Sequence, residues 1–500
     1  MRNWTMAILL AAGLSGCDFS PSPKPVLPVQ QTGELVVITR NSPTTYYEDA
    51  EEHLAGIEHD LVELFAKELG VKVRFVVAKQ FNEILPSLQN HYAHLAAAGL
   101  TITPERQKKF KFSSPYQTIH QEVVYNTSGS KPSSLKDLVG LRVEVVAGSS
   151  YAEKLREAKK KYPALTWNEN TSMESEELLE KLAMGQLDAV VADSNVVDVS
   201  KNYLPILETA FDLSGTQHLA WAFPKDVDNF LLEKSRDFFA RIEKDGTLKR
   251  LLDRYYGHVK RLGRIDVEGF MIATNSVLPK FRPLFHRAQE LTELDWRLIA
   301  AIGYQESHWD PLATSPTGVR GLMMLTGDTA DRLGVTDRLD PKQSILAGAR
   351  YVNYLKDSIP SRIQEPDRTW MALAAYNIGY GHLEDARILA KKKKLDPDSW
   401  TDLKVTLPLL AKAEYHVEAR HGYARGGETV IFVENIRTYY DILSRFKKPY
   451  QRLFSATPTK NQPETSSPDQ YDLSNAKTRL GLKAPASALR PDKVVGQQAR

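Results

Sequence analysis

The apolar residues of this chain change period part-way along it, and that change limits the folds open to the chain more than any other feature. From Glu34 onward, short β-branched runs (residues 35–39, then 71–77) alternate with amphipathic stretches such as residues 60–69, closed by Gly70. Leu61, Leu64, Phe65 and Leu69 fall on one helical face with Glu63, Lys67 and Glu68 elsewhere, the mark of a helix with one buried side. A second set of the same kind begins at residues 141–146 and continues through 178–184 into 189–192. Strands separated by helices predict parallel βαβ units. Two such sets joined by extended crossings predict a two-lobed α/β unit with a cleft between its lobes. Beyond Gly269 the β-branched runs stop. Residues 281–290, 296–304, 347–355 and 370–376 show apolar residues at helical spacing, with Asp295 placed to cap the second of these. That pattern predicts a mainly α unit. Residues 257–269 carry three glycines and four basic side chains, His258 among them, without a sustained apolar period. They set the expected division: a first unit at 33–258, a linker at 259–268 and a second unit at 269–450.

A chain of 500 residues, 42% hydrophobic and 25% charged, is long enough for two cores and has the composition of soluble globular protein. Its 65 basic and 62 acidic side chains leave a net charge of only +3, which argues against a nucleic-acid partner. The basic run Lys391-Lys392-Lys393-Lys394 reads as a solvated helix face. Residues 451–500 are rich in Pro, Ser, Thr, Gln and Asn, cannot bury a core, and are expected to be disordered.

The N-terminus has the form of an export signal over residues 1–16: Arg2, an apolar stretch at 7–14, then Ser15-Gly16. The apolar stretch is too short to remain as a membrane-spanning helix. Leu14-Ser15-Gly16-Cys17 resembles a bacterial lipobox, which implies acylation of Cys17, and Cys17 is the single cysteine of the chain. A lone thiol in an exported protein has no disulfide partner, whereas several acyl chains would hold it durably on a membrane. Residues 17–32, rich in Pro and Ser, are then expected to act as a tether. The expected location is the envelope of a Gram-negative bacterium, on the periplasmic side of the outer membrane. Asp18, directly after the cysteine, leaves inner-membrane retention open.

In the first unit, Leu100-Thr101-Ile102-Thr103-Pro104-Glu105-Arg106, Phe112-Ser113-Ser114-Pro115-Tyr116 and Gly185-Gln186-Leu187-Asp188-Ala189 resemble periplasmic amino-acid-binding proteins of bacterial uptake systems. The resemblance implies that Arg106 pairs with a ligand α-carboxylate, a task suited to planar bidentate geometry. It further implies that Thr101 and Ser150 donate to the same carboxylate and that Asp193 accepts from the ligand ammonium. Tyr46 or Tyr47 would supply an aromatic wall. The expected ligand is an amino acid or a muropeptide stem fragment.

In the second unit, Gln305-Glu306-Ser307-His308-Trp309-Asp310-Pro311, Ala313-Thr314-Ser315-Pro316-Thr317-Gly318, Gly321-Leu322-Met323-Met324 and Ala374-Ala375-Tyr376-Asn377-Ile378-Gly379 follow one another. They resemble the soluble lytic transglycosylases of the goose-lysozyme-like type. Met324 stands where the commoner form has glutamine. The joint arrangement of lipobox, binding-protein-like unit and this unit resembles the membrane-bound lytic murein transglycosylases. Glu306 falls just after the apolar face of its helix, where partial desolvation would keep a carboxylic acid protonated near neutral pH. The resemblance implies that Glu306 serves first as acid and then as base at the bond between N-acetylmuramic acid and N-acetylglucosamine of peptidoglycan glycan strands. The muramic 6-hydroxyl then closes a 1,6-anhydro ring, and neither metal nor cofactor is needed. Ser315 and Asn377 are expected to orient the N-acetyl group, Tyr376 to shape the site, and Tyr439 to sit near the cleft. Two alternatives remain at this point: a hydrolytic lysozyme, with Asp310 as the tempting second acid, and an amino-acid or peptide receptor whose helical unit is inactive.

Overall fold

The computed structural model describes residues 24–49 and 53–451; Cys17, the signal and the tail lie outside them. The first unit holds two five-stranded sheets. One runs in the order Lys72–Val77, Glu34–Thr39, Leu95–Ala96, Ala222–Pro224, Phe110–Phe112. The other runs Asn168–Asn170, Val143–Val146, Ala189–Asp193, Gln121–Asn126, Leu207–Asp212. In each, the first three strands are parallel, as the βαβ pattern requires, and the remaining pairings are antiparallel. The chain passes between the sheets twice, and the crossing segments Gln117–Ile119 and Gln217–Leu219 pair with each other antiparallel. A two-stranded ribbon therefore joins two separate cores.

Helix Ile57–Leu69 buries Leu61, Val62, Phe65 and Ala66 against the first sheet and ends at Gly70 in the left-handed conformation, so the amphipathic stretch is longer at its start than its charged residues indicate. The end of the expected tether differs from a free linker. The Val26 N–H donates to the His91 carbonyl at 2.8 Å, Val29 is buried, and the His94 ring meets the Leu27 carbonyl at 2.8 Å. The apolar side chain of Val29 has a core to enter, and that contact outweighs the solvated character of its neighbours.

The second unit is built from helices Leu278–Thr292, Trp296–Ser307, Pro341–Ser358, Asp367–Ile378, Tyr380–Lys392 and Gly426–Phe446 around Phe270, Phe285, Trp309, Trp400, Leu403, Val433 and Ile436. Asp295 caps its helix by accepting from the Arg297 N–H at 2.8 Å. The expected linker is shorter than 259–268, because helix Arg264–Ser276 starts inside it and buries Val267 and Phe270 in the helical core. The apolar spacing of Val267 and Phe270 decides this over the glycines nearby.

The two units meet along helix Thr247–Tyr256. The Asp253 carboxylate accepts from Lys404 and, at 3.0 Å, from the Thr401 hydroxyl, while Arg437 donates to the carbonyls of Asp253 at 3.1 Å and Arg254 at 3.0 Å. His258 pairs with Asp441, and Arg445 reaches Glu180 at 2.8 Å. Asp253→Ala would strand part of the Lys404 and Arg437 charge in a poorly solvated interface. The expected loss is about 3 kcal/mol, the lower end for breaking a buried pair. Thermal unfolding checks it, and an unchanged melting temperature would count against this interface.

Candidate active site

Helix Trp296–Ser307 stops because His308 and Trp309 both adopt positive φ, 52° and 61°. Such a reversal is strained for bulky residues, and packing compensates: Trp309 is buried, and its indole N–H donates to the Ala300 carbonyl at 2.8 Å. Its ring lies 4.8 Å from that of Tyr304 and 5.7 Å from that of Phe270. Glu306 is thereby held in the last helical turn, half-buried. Burial pushes its carboxyl up to about 8, and burial is the one cause of that shift. Among the described residues no cation lowers it and no carboxylate raises it further.

The loop after Gly321 comes against this helix end at close range. A side chain at Gly303 would place its Cβ 2.7 Å from Leu322, and one at Gly321, where φ is 83°, would place it 1.8 Å from the Arg338 carbonyl oxygen. Only glycine lets backbone and loop approach so closely. Two consecutive carbonyls of the loop are then clamped. The Ser307 hydroxyl donates to Leu322 O at 2.8 Å, and the Tyr376 hydroxyl donates to Met323 O at 2.7 Å. Met324 follows, half-buried, with φ of 45°. Burial, and after it the charge of Glu306, holds the Tyr376 phenol well above its ordinary range. Glu306, Ser307, the 322–324 loop and Tyr376 thus form one constellation.

The other expected residues lie at different distances from it. Asn377 is exposed at the end of the Tyr376 helix, and its Oδ1 accepts from the Thr429 hydroxyl of helix Gly426–Phe446 at 2.7 Å. Ser315 accepts from the N–H groups of Thr317 and Val319 at 3.2 Å each, so its hydroxyl shapes its own loop, and no contact among the described residues joins it to Glu306. Tyr439 is buried, with its ring 4.5 Å from Phe270 and 4.9 Å from Tyr304. It packs against Tyr304, on the helix that carries Glu306. Asp310 accepts from the Leu312 N–H at 2.9 Å and is exposed, the arrangement of a turn residue. Sequence reasoning assigned no role to Ser307 or Thr429. Ser307 stood inside a quoted motif; Thr429 carried no local signal. Among the described residues no three His, Cys, Asp or Glu side chains gather as a metal site needs.

Between the lobes of the first unit, Thr101, Arg106, Ser150 and Asp193 are all buried. The Ser150 hydroxyl donates to Thr101 Oγ1 at 3.2 Å and accepts from Gln121 at 2.6 Å. Burial pushes the Asp193 carboxyl up to about 7 although Arg40 and Arg106 pull it down. Arg106 departs from the expected role in this arrangement. It donates to Glu153 at 3.0 Å, to Thr101 O at 3.1 Å and to Gly148 O at 2.9 Å. Tyr46 packs on Phe75 with the rings tilted, 4.9 Å between centroids, and Tyr47 lines a cavity of about 1050 Å³ bordered by both lobes and helix Gly426–Phe446.

Residues 35–258 match the model of bacterial extracellular solute-binding proteins, family 3, and residues 283–398 match the transglycosylase SLT domain. A membrane-bound lytic murein transglycosylase F of Methylobacillus flagellatus is 51% identical over 449 residues, covering 89% of this chain and 95% of that protein. The chain belongs to the membrane-bound lytic murein transglycosylase F family. A relative of the same name from Nitrosospira multiformis is 51% identical over 438 residues, covering 87% of this chain and 91% of its own. An ancestral arginine-binding protein bound to arginine is 30% identical over 45% of this chain and 98% of its own, with a TM-score of 0.41. The chain is accordingly a peptidoglycan-degrading lytic transglycosylase with a solute-binding-protein-like unit before its helical domain, and the inactive-receptor alternative falls.

The raised carboxyl has a consequence for stability. Folded Glu306 keeps a proton that the unfolded chain releases between the ordinary value of 4.5 and about 8. Stability therefore falls as pH rises through that window. Glu306→Gln removes the dependence. Its melting temperature is expected to exceed that of the wild type above about pH 8 and to match it near pH 4.5; a constant difference across thermal melts at both pH values would contradict the desolvated carboxyl.

Proposed function

We propose that Glu306 is the single acid–base group of the reaction. The observation that carries this reading is the place of Glu306, half-buried in the last helical turn beside the loop that Ser307 and Tyr376 clamp, where burial raises its carboxyl to about 8. At neutral pH it is protonated and can donate to the glycosidic oxygen between N-acetylmuramic acid and N-acetylglucosamine. The bond from the muramic anomeric carbon to that oxygen breaks, and the muramic N-acetyl carbonyl stabilises the cation that develops. The Glu306 carboxylate then takes the proton of the same sugar's 6-hydroxyl, whose oxygen closes the 1,6-anhydro ring. No water enters, and the nucleophile is already in place. A hydrolytic glycosidase ordinarily uses two carboxylates, and Asp310, committed to its turn, does not offer the second.

Asn377, its amide oxygen taken by Thr429, presents its amide nitrogen to the N-acetyl group. Ser315 acts on substrate through the loop it shapes. Tyr376 fixes the loop beside Glu306, and Tyr439 supports the helix end from behind. Glu306→Gln is expected to abolish wall digestion, and wild-type activity to decline above about pH 8 as the acid deprotonates. Mass spectrometry of digested wall should find muramic ends lighter by one water; reducing ends alone would favour hydrolysis.

The two-lobed unit is read as a receptor for an amino acid or muropeptide stem fragment, on the ground that Thr101, Arg106, Ser150 and Asp193 are gathered and buried between its lobes. The chain is read as anchored through acylated Cys17 to the periplasmic side of the outer membrane. Among the described residues no helix is long and apolar enough to cross a membrane. Cys17→Ala is expected to move the protein from the membrane fraction to the soluble one; retention of the variant in washed membranes would refute the anchor.

A further inference from the structure

The cleft between the lobes is closed by two ion pairs, and two further carboxylates stand beside them without an ion pair of their own among the described residues. Arg40 donates to Glu174 at 2.7 Å, and Arg106 donates to Glu153 at 3.0 Å. The other two nitrogens of the Arg106 guanidinium already donate to the carbonyls of Thr101 and Gly148. Glu176 and Asp193 remain, 6% and 7% exposed. Ser42 of the opposite lobe donates to one oxygen of Glu176, whereas Oε2 of Glu176 and Oδ1 of Asp193 have no hydrogen-bond partner among the described residues. The buried amide oxygens of Gln121 and Asn195 are in the same condition, and Arg40 Nε is the N–H among these groups left undonated.

These groups belong to one chamber. Asp193 and Gln121 face each other across the antiparallel strands Ala189–Asp193 and Gln121–Asn126. Asp193 feels the charges of Arg40, Arg106 and Glu176, and Tyr256, which bonds Asn195, feels those of Arg40 and Glu176. Ser42, Glu174 and Glu176 also line the cavity of about 1050 Å³, which gives the chamber an approach.

Buried acceptors need donors, and buried carboxylates need positive charge. An ammonium supplies three N–H donors and one charge. We propose that this chamber takes a ligand bearing two amino groups, one ammonium on Asp193 and one on Glu176, with the amide oxygens of Gln121 and Asn195 completing their hydrogen bonds. The chain's own Glu153 stands on Arg106 where a ligand carboxylate would otherwise sit, so the carboxylate is not required. The inference rests on the reading of the first unit as a receptor and narrows its ligand. A free diamine and a basic amino acid share the required chemistry.

Calorimetric titration of the full chain with cadaverine, lysine, lysinamide, norleucine and glutamate tests it. Lysine is expected to bind about ten-fold or more tighter than norleucine or glutamate, and lysinamide at least as tightly as lysine, because a second amino group is what norleucine and glutamate lack. Cadaverine binding as well as lysine would point to a free diamine as the source, and weaker cadaverine binding to an amino acid. Norleucine or glutamate binding as tightly as lysine, or loss of binding on amidation, would overturn the inference while the receptor reading stands. Absence of heat with all five overturns both. Asp193→Asn and Glu176→Gln should each weaken lysine by about ten-fold, whereas Glu153→Gln should leave it within about two-fold. The ranking of ligands on the unaltered chain decides the matter even where a variant fails to fold.

Discussion

The indole N–H of Trp309, bonded to the Ala300 carbonyl inside the helical core, is the contact on which the catalytic half depends. It fixes a reversal through two positive-φ residues, and the reversal ends the helix one turn after its buried stretch. Glu306 is consequently too deep to be fully solvated and too late in the helix to be sealed. The raised carboxyl follows from that position alone. Glycines at 303 and 321 let the next loop close over the same helix end, and the Ser307 and Tyr376 hydroxyls then clamp its carbonyls. Among the described residues no ion pair orients Glu306, so the packed surround has to hold its carboxyl in place.

Helix Gly426–Phe446 does for the whole molecule what Trp309 does for the site. Burial alone would raise its Glu434 carboxyl, but the charges of Arg437 and Lys404 and the Trp400 indole bring it down to about 2. That ion network faces the Asp253 helix of the first unit. Along the same helix Thr429 holds Asn377, Tyr439 packs behind Tyr304, and Asp441 meets His258. One element therefore touches Asn377, the helix that carries Glu306 and the domain junction.

Much of this was legible in local pattern. Helix and strand periods gave the two fold classes, Asp295 gave its cap, and the motif around Glu306 gave the candidate acid, because each depends on residues close in sequence. What misled was of two kinds. Val26 and Val29 looked like tether, and residues 264–268 like linker, because a few apolar side chains in a polar stretch show no period until a core is there to receive them. Ser315 and Arg106 carried the expected residue types at the expected places, yet the Ser315 hydroxyl is committed to its own turn and the Arg106 guanidinium to Glu153. Residue identity says what a group can bond; its neighbours in space determine what it does bond.

The sequence by itself determined the division into an α/β and a helical unit and the placing of one glutamate at a helix end, since both are written in composition and short-range spacing. Only the tertiary structure decided that burial is what raises this carboxyl, that Ser307 and Tyr376 clamp the loop beside it, and that Glu176 and Asp193 each keep a buried oxygen without a hydrogen-bond partner among the described residues. Desolvation and pairing are properties of what surrounds a group. Those surroundings come from segments tens to hundreds of residues apart, which no local pattern records.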